Sequence, residues 1–171
     1  GDLEGQHVVD VGAGNGILGL GAHMLGAAAV RLIEADANVA EVAVRNAAQV
    51  AADAEVVVTS VGASADLGHV DRSVLISNPP WGVQTAGADR PVLDAMFSSK
   101  AAVIHLMHHA EAGHVEALAA SHGWVSEDVL RAPFRLPLVH DHQRSGRRTT
   151  EVLCRRFSRP ASEERIEKER P

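Results

Sequence analysis

The stretch HVVDVGAGNGILGL at positions 7–20 decides the fold. It opens with a run typical of a strand buried on both faces, and glycines follow at positions 12, 14 and 16, just before a helical pattern over residues 17–25. A strand, a glycine turn and a helix in this order form the first unit of a parallel α/β sheet, in which ligands bind beyond the carboxyl ends of the strands. We therefore expect Gly12, Gly14 and Gly16 to let the backbone approach a ligand. Asp10 is placed to orient the turn or to contact an ammonium group through water.

The rest of the chain alternates apolar runs with helical patterns. Alternation of this kind, closed by two late strands, predicts an α/β fold with a doubly wound, mostly parallel sheet and a terminal antiparallel hairpin. From residue 158 to residue 171 the composition turns to Pro, Ser, Glu, Arg and Lys without apolar periodicity, so we expect a charged, disordered tail. The further predicted strands are 30–33, 55–59, 74–76, 102–106, 129–134 and 151–157, and the further predicted helices are 38–50, 91–99 and 111–121.

Length and composition predict one domain over residues 1–157. A chain of 171 residues with 46% apolar content and no apolar run of membrane-spanning length is typical of a single soluble domain. The single cysteine, Cys154, excludes a disulfide framework and a cysteine-based structural zinc site, which favours a reducing cytoplasm. Because the sequence opens at Gly1 without a methionine and enters its first strand within seven residues, we expect natural sequence to be missing upstream.

A second motif, Asn78-Pro79-Pro80-Trp81, follows the predicted strand at residues 74–76. It suits methylation of a conjugated amine, such as that of a nucleobase, which is a poor nucleophile because its lone pair is delocalised into the ring. The Asn side-chain oxygen and the carbonyl of Pro79 would accept the two amino hydrogens, while Trp81 would stack on the ring. The prolines stiffen the loop and remove competing N–H donors. A Pro-rich loop with an incidental Trp is the alternative, and the upstream glycine motif argues against it.

Two residues at the end of the second predicted strand suit a nucleoside cofactor. Glu34 is placed to accept both hydroxyls of a ribose, and Ala35 offers a small apolar surface for adenine. A nicotinamide dinucleotide is a competing interpretation, because GNGILG at positions 14–19 also matches the dinucleotide fingerprint. The Asp10 prefix and the Asn-Pro-Pro-Trp loop favour S-adenosylmethionine as the cofactor.

Charge is distributed unevenly along the chain. Residues 1–130 carry a net charge of −11, whereas residues 131–159 contain eight arginines against two acids. If these arginines share a face with the Asn-Pro-Pro-Trp loop, they would contact nucleic-acid phosphates; a solvated Arg-rich hairpin is the alternative. We expect RNA to be bound by Arg135, Arg144, Arg147 and Arg148, and the other arginines of this segment are Arg131, Arg155, Arg156 and Arg159.

These motifs together resemble the methyltransferase-like five family of archaeal and eukaryotic adenine-N6 methyltransferases of small-subunit ribosomal RNA. The resemblance covers about residues 5–157 and rests on the glycine motif, the acids Glu34 and Asp36, the run ISNPPWGVQ with GADRPVLDAMF behind it, and the late stretch HDHQRSGRRTTEVLCRRF. It implies a class I, Rossmann-like, S-adenosylmethionine-dependent methyltransferase with a seven-stranded sheet. It also implies that Asn78, Pro79, Pro80 and Trp81 act on the adenine, and that the methyl donor is held by Asp10, Gly12, Gly14, Gly16, Glu34, Ala35, Ser60, Val61 and Asn78.

Three departures from the family pattern bear on the site. Ser60 stands where such families usually place an acid against the cofactor adenine, Trp81 stands where they usually carry Phe or Tyr, and the family's N-terminal segment is absent. We therefore expect weaker cofactor binding and an altered pocket width. The family resemblance further implies a small zinc-binding activator protein of the Trm112 type, which would pair with the sheet edge and cover apolar surface.

Other interpretations stay open at this point. A protein methyltransferase acting on a glutamine amide would use the same acceptors, and a non-catalytic family member would bind S-adenosylmethionine or RNA without turnover. Histidines at positions 105, 108, 109 and 114 cluster, and the first and third have the i,i+4 spacing of a helical metal pair. Because the segment begins as a buried strand and no carboxylate motif accompanies it, we predict core or surface histidines and no metal site. Trp124 is predicted to pack or to contact a partner.

Overall fold

The computed structural model describes residues 1–80, 87–135 and 149–160, and within these ranges the predicted α/β architecture is confirmed. The strands are β1 (His7–Val11), β2 (Ala29–Glu34), β3 (Ala54–Val58), β4 (Val74–Ser77), β5 (Val103–His109), β6 (Val125–Arg135) and β7 (Thr149–Ser158). The helices are α1 (Ile17–Met24), α2 (Ala37–Gln49), α3 (Arg90–Phe97) and α4 (Gly113–Ser121), and a short 3-10 helix spans Ser64–Leu67. None of the helices in the described ranges has the length and apolar content needed to cross a bilayer.

One seven-stranded sheet organises the domain, in the order β3-β2-β1-β4-β5-β7-β6. β1 pairs in parallel with β2 and β4, β2 with β3, and β4 with β5, whereas β7 runs antiparallel to β5 and β6. The chain steps outward from β1 to β3 and then returns to place β4 on the other side of β1. The strand order therefore reverses between β1 and β4, and ligands of such sheets bind in the crevice beyond the carboxyl ends at this reversal.

Each face of the sheet has its own apolar core. On one face, α1 and α2 pack against β1 and β2, with Leu20, Leu32 and Ala43 all buried. On the other face, α3 and α4 cover β1, β4, β5 and β7, and the ring of Phe97 meets that of Phe157 edge-on with 5.0 Å between centroids. The loops at the carboxyl edge are thus carried by strands that are fixed from both sides.

Helix α2 shows how the sequence defines an element locally. Its N-cap is Asp36, whose carboxylate accepts from the backbone N–H groups of Asn38 and Val39 at 2.8 and 3.3 Å. Small residues at helical spacing, Ala40, Ala43 and Ala47, face the sheet and are buried. The cap residue lies two positions after Glu34, the last residue of β2, so β2 and α2 are joined by a tight turn at the carboxyl edge.

An apolar groove of about 630 Å³ crosses the α1 face of the sheet. Helix α1 lines one side of it, and Met107 of β5 and Cys154 of β7 contribute to the sheet side. Ile17 and Leu25 of α1, which also line it, are 72% and 68% exposed. The face of α1 turned towards this groove is therefore an apolar surface.

The late strands are longer than the sequence pattern predicts. β5 continues to His109 and β6 begins at Val125, because the antiparallel partner β7 supplies backbone hydrogen bonds along both, with an irregularity in the ladder between Asp128 and Leu130. β7 reaches Ser158, and the next residue, Arg159, donates to the backbone carbonyls of residues 99 and 122 at 3.0 and 3.1 Å. The folded body thus continues slightly beyond the predicted boundary at residue 157. Residues 161–171 of the predicted tail lie outside the described residues.

Candidate functional site

The turn after β1 places glycine backbone at the crevice. Gly12, Gly14 and Gly16 have φ of +72°, +58° and +85°, a region that side-chain-bearing residues rarely adopt. A Cβ added to Gly12 or Gly14 would meet no atom within 4 Å, whereas one added to Gly16 would lie 3.0 Å from the Leu32 side chain. Gly12 and Gly14 therefore leave open space beside the backbone for a ligand, while Gly16 allows the turn to pack against the sheet.

Asp10 lies beneath the turn and holds it in place. Its carboxylate is buried, and Oδ2 accepts from the backbone N–H of Gly19 at 2.8 Å, one of the donors that the first turn of a helix leaves without an internal partner. Oδ1 is buried with no hydrogen-bond partner among the described residues. Burial raises the pKa of Asp10 to about 7, the nearby Glu34 charge adds to this, and the Gly19 bond opposes it. Of the two predicted roles, this geometry supports orientation of the turn.

Glu34 connects the glycine turn to the start of α2. Its Oε2 accepts from the backbone N–H of Gly14 at 2.8 Å, and its Oε1 accepts from that of Asp36 at 2.9 Å. An ionised carboxylate has about four acceptor positions, so both oxygens keep acceptor capacity for the hydroxyls of a ribose. Ala35 beside it is exposed. The acid at the strand end, the open glycine backbone and the small exposed residue fit the predicted nucleoside cofactor.

The loop after β3 carries the predicted Ser60 and Val61. Ser60 is exposed, and Val61 is half-buried and packs against the core under α3 and α4. An acid, Asp66, lies farther along this loop. Its Oδ2 accepts from the backbone N–H groups of Gly62 and Ala63 at 2.8 and 2.9 Å. These two bonds lower the pKa of the Asp66 carboxyl. They also hold the loop, so the Asp66 carboxylate is engaged with the backbone of its own loop.

The Asn-Pro-Pro segment begins beside the glycine turn. β4 lies next to β1 with Ile76 opposite Asp10, and the Ser77 hydroxyl donates to the Val11 carbonyl at 2.6 Å in a buried bond. This bond joins the last residue of β4 to the last residue of β1. The two predicted motifs therefore leave the sheet side by side at the point where strand order reverses.

Within this segment, Asn78 and Pro80 are exposed and Pro79 is buried. Trp81, predicted to stack on the substrate, lies outside the described residues. The structure thus brings Asn78, Pro79 and Pro80 to the glycine turn, and the action of each side chain on a substrate stays a prediction.

The histidine cluster divides into two groups in the fold. His105 and His109 lie on strand β5 and not on a helix, and His105 contacts the Asp2 carboxylate at 2.9 Å through Nε2. His108 is buried, and together with His114 it contacts the carboxylate of Asp89. Sequence reasoning missed this carboxylate because it comes from the start of α3, far from the histidines in sequence. The one sequence signal was Asp89 itself, an acid directly before a helix-starting Arg-Pro pair.

The described arginines of the predicted basic segment are engaged within the domain. Arg155 is buried between Glu116 and Asp128, and Arg131 pairs with Glu151. Arg159 lies 4.4 Å over the ring of Trp124, whose indole N–H donates to the Phe97 carbonyl at 2.7 Å, so the predicted packing role of this Trp is confirmed. Arg156 pairs with Asp2 and Glu127. Each of these four thus already contacts an acid, a backbone carbonyl or an aromatic ring of the domain. Arg144, Arg147, Arg148 and the side chain of Arg135 lie outside the described residues.

The sequence matches a described family and two curated proteins. The family model for the methyltransferase small domain matches residues 2–122. The ribosomal protein L11 methyltransferase of Methylococcus capsulatus is 28% identical over 131 residues, which cover 72% of this chain and 45% of that protein. An uncharacterised protein of Methanocaldococcus jannaschii is 28% identical over 148 residues, 82% of this chain and 68% of that protein. The chain thus spans less than half the length of the first of these relatives.

Solved structures with the same architecture include two connected with RNA. A proposed RNA methyltransferase from Pyrococcus horikoshii is 30% identical, covers 94% of this chain and 78% of its own, and superimposes with a TM-score of 0.79. The Thermus thermophilus 16S rRNA N2 G1207 methyltransferase, solved with AdoMet and guanosine, is 17% identical, with a TM-score of 0.64 and coverage of 92% of this chain and 38% of its own. The second likeness is one of fold alone.

Proposed function

The chain belongs to the methyltransferase small domain family, a family that uses S-adenosylmethionine, and from this premise we propose that it methylates the N6 amine of an adenine in small-subunit ribosomal RNA. The observation that carries the proposal is the buried Ser77–Val11 hydrogen bond, which holds the Asn-Pro-Pro segment against the glycine turn. This supports the proposal, because the segment that we assign to the amine and the turn that we assign to the methyl donor lie next to each other. The family assignment also disfavours the nicotinamide interpretation of the glycine motif.

The residues around the glycine turn would hold the methyl donor. Gly12 and Gly14 offer backbone beside open space, and Glu34 offers carboxylate oxygens already fixed by two backbone donors. When bound, S-adenosylmethionine supplies a methyl group on a positively charged sulfur. Asp10 would position the glycine turn without contacting the donor, because its bond to Gly19 sets the position of the turn relative to α1.

The Asn-Pro-Pro-Trp motif would hold the adenine. We assign the Asn78 side-chain oxygen and the Pro79 carbonyl to the two hydrogens of the amine, which localises its lone pair, and Trp81 to stacking on the ring. Pro80 limits the conformations of the loop between them. Placement of this kind contributes by orientation and by charge stabilisation, and it needs no strong base. A paired base cannot reach such a pocket, so the substrate adenine would be extruded or single-stranded.

The direct test is transfer of labelled methyl from S-adenosylmethionine to small-subunit ribosomal RNA, followed by nucleoside analysis. We expect N6-methyladenosine from the unaltered protein and none from Asn78→Ala. S-adenosylmethionine binding by calorimetry should be largely retained in the variant, because Asn78 is only one of the proposed donor contacts and the glycine turn and Glu34 are unchanged. Transfer by Asn78→Ala at the wild-type rate would refute the acceptor role.

A protein substrate is the second candidate, because one relative is named a ribosomal protein L11 methyltransferase. A glutamine amide is planar and could use the same two acceptors. Label in a protein fraction and none in RNA would favour this candidate. Donor binding without transfer to either class would favour a binding function without turnover.

A partner of the Trm112 type is part of the same proposal. The sheet has two edge strands, β3 and β6, and both carry exposed apolar residues, with Val58 at 54% and Val125 at 52% exposure. An unpaired edge with apolar side chains is suited to the addition of a strand from another chain. Co-purification with the activator and a higher yield of soluble protein would support this partner. Full transfer activity of the chain alone would argue against a requirement for it.

A further inference from the structure

A buried carboxylate near the Asn-Pro-Pro segment is bonded to two histidines from different elements. Asp89 Oδ2 lies 3.1 Å from Nε2 of His108 and 2.6 Å from Nε2 of His114. Asp89 immediately precedes α3, His108 lies near the carboxyl end of β5, and His114 is in the first turn of α4. One oxygen atom therefore joins three elements at one point.

The protonation of His108 follows from the contacts of its two ring nitrogens with His109 and Asp89. Its Nδ1 accepts from the backbone N–H of His109 at 2.9 Å, so the ring proton is on Nε2 and points at Asp89. Burial lowers the pKa of His108 and keeps the ring neutral. Burial alone would raise the pKa of Asp89, but the bonds from His114 and His108 outweigh it and lower the pKa of this carboxyl. Asp89 is thus an ionised acceptor for two imidazole N–H groups.

This arrangement argues against a metal ion. The three potential ligand atoms lie within 4.8 Å of one another, as in many metal sites. A metal needs a lone pair on each ligand atom, and the Nε2 of His108 carries a hydrogen in this tautomer. Binding a metal would also require the His109 N–H to lose its acceptor. The contacts are those of a hydrogen-bonded clamp.

Asp89 occupies an N-cap position but does not cap its helix. Aspartate at this position usually accepts from the N–H groups of the first helical turn, with a contribution of about 1 kcal/mol to stability. The Asp89 side chain makes no such bond to α3 and turns to the histidines. Helix α3 thus lacks the cap hydrogen bond that Asp89 could make. The Asp89 carboxylate instead contacts the two histidines, which indicates a role for it other than capping α3.

The position of this clamp relates it to the Asn-Pro-Pro segment. In the parallel pairing of β4 with β5, Ser77 is opposite Leu106, so His108 lies two residues beyond, at the level where Asn78 and Pro79 leave β4. The next element along the chain after β4 is α3, and Asp89 directly precedes it. We propose that the Asp89–His108–His114 clamp is a positioning device that holds the start of α3 beside the Asn-Pro-Pro segment and so sets the position of Asn78, Pro79 and Pro80.

This inference rests on the proposed function for its kinetic consequence, and a spectroscopic measurement tests it independently. His114→Ala is the first variant, because His114 is half-exposed and its removal leaves the buried Asp89–His108 bond in place; Asp89→Asn is the second. Subtracting the emission spectrum of each protein carrying Trp81→Phe from that of its Trp81 parent isolates the Trp81 signal. We expect a changed emission maximum and a changed iodide-quenching constant in both variants, recorded well below the unfolding midpoint.

The kinetic measurement uses the intact protein with RNA and S-adenosylmethionine. A displaced motif should lower kcat by about 10- to 100-fold, since misplacement by 1 Å can cost about 100-fold. The Kd for S-adenosylmethionine should stay within about twofold, because the variants leave the glycine turn unchanged. His122→Ala, at the other end of α4, is the matched control and should change none of these quantities.

Two results would overturn the inference. One is folded Asp89→Asn and His114→Ala proteins with the wild-type Trp81 signal. The other is stoichiometric zinc in the purified wild-type protein that both variants lose, which would make the cluster a metal site. If no RNA is methylated even by the wild-type protein, the proposed function fails while the Trp81 measurement still decides the role of the clamp.

Discussion

At the scale of single residues, the candidate site is shaped by groups that lie beneath it. Asp10 holds the first turn of α1, Glu34 holds the glycine turn and the start of α2, and Ser77 holds the ends of two strands together. None of these contacts needs a ligand. They fix the open backbone at Gly12 and Gly14 before any ligand is present, which reduces the reorganisation needed on binding.

Gly19→Ala tests how closely α1 must approach the sheet. A Cβ at this position would overlap Leu32 Cδ2 and lie 3.1 Å from both the Asp10 Cβ and a Val30 methyl. We expect a loss of about 1–3 kcal/mol in the free energy of unfolding, measured by urea denaturation. Gly21→Ala, in the same helix, meets nothing within 4 Å and is the control. Its better helix propensity should leave stability unchanged or raise it by up to about 1 kcal/mol. Equal effects of the two substitutions would contradict the packing argument.

Asp10→Asn tests the burial of the carboxylate through the dependence of stability on pH. The folded-state pKa of about 7 lies above the unfolded value of 3.8, so between these values the folded protein binds the extra proton. Its contribution to stability is therefore complete below about pH 4 and is lost as pH rises through 7, by about 4 kcal/mol across the window. In Asp10→Asn this loss should disappear.

The comparison is made as the difference between urea unfolding profiles of the two proteins at each pH. Burial lowers the pKa of His7 and of His108, which makes stability rise with pH near neutrality in both proteins and cancels in the difference. Parallel profiles between pH 4 and 7 would show that the Asp10 carboxyl titrates normally in the folded protein.

At the scale of elements, the joint between β1 and β4 determines whether two motifs become one site. The parallel register of these strands brings their ends level, and the Ser77 hydroxyl fixes them laterally. The α3 and α4 side of the sheet then supports the same edge from below through a core that includes Phe97 and Phe157. The relative position of the two motifs is therefore set mainly by the pairing of β1 with β4.

Ser77→Ala tests this joint. The variant loses a 2.6 Å buried bond and leaves the Val11 carbonyl with one partner fewer, so we expect a loss of about 1 kcal/mol or more in stability and a reduced rate of methyl transfer. Ser121→Ala removes a 2.7 Å hydroxyl–carbonyl bond at the end of α4 and is the matched control. It should change stability little, because Ser121 is exposed, and it should leave transfer unchanged. If the two variants lose transfer in proportion to their stability, the joint has no specific role in the site.

At the scale of the whole molecule, arginines that cluster in the sequence are paired in the fold with acids from other parts of the chain. The net charge of the chain is −6, and the arginines described on β6 and β7 contact Asp2, Glu116, Glu127, Asp128 and Glu151. Ion pairs of this kind partly neutralise the positive charge that these arginines would otherwise present to a nucleic acid. The proposed RNA contacts of Arg144, Arg147 and Arg148 are therefore tested separately from these paired arginines.

Replacement of Arg144, Arg147 and Arg148 together by alanine tests the proposed RNA contact. If each contacts one phosphate, the slope of log affinity against log salt concentration should fall by about 2 in magnitude, and affinity for ribosomal RNA should fall at low salt. Arg131→Ala, which removes a cation paired with Glu151, is the control and should leave the slope unchanged. An unaltered slope in the triple variant would place RNA binding elsewhere on the protein.

The sequence alone determined the fold and the two motifs, because both depend on local patterns. The strand-turn-helix pattern around Asp10, the periodicity of α2 and the apolar run before Asn78 are each set by neighbouring residues, so the elements were predicted to within a few residues. The sequence also predicted which edge of the sheet carries the site, since parallel strands end together. Predictions were weakest at β5 and β6, whose lengths depend on hydrogen bonds from a strand far along the chain.

Only the tertiary structure decided which distant groups meet. Asp89 is 19 residues from His108 and 25 from His114, and Ser77 is 66 from Val11, so no sequence window contains these contacts. The pairing of Arg155 with Glu116 and Asp128 is equally non-local and reversed the expectation of a free basic face at that residue. The physical reason is that hydrogen bonds and ion pairs form between side chains that packing brings together. Local sequence patterns determine where the strands lie in the chain, whereas the pairing of those strands in the sheet determines which side chains become neighbours.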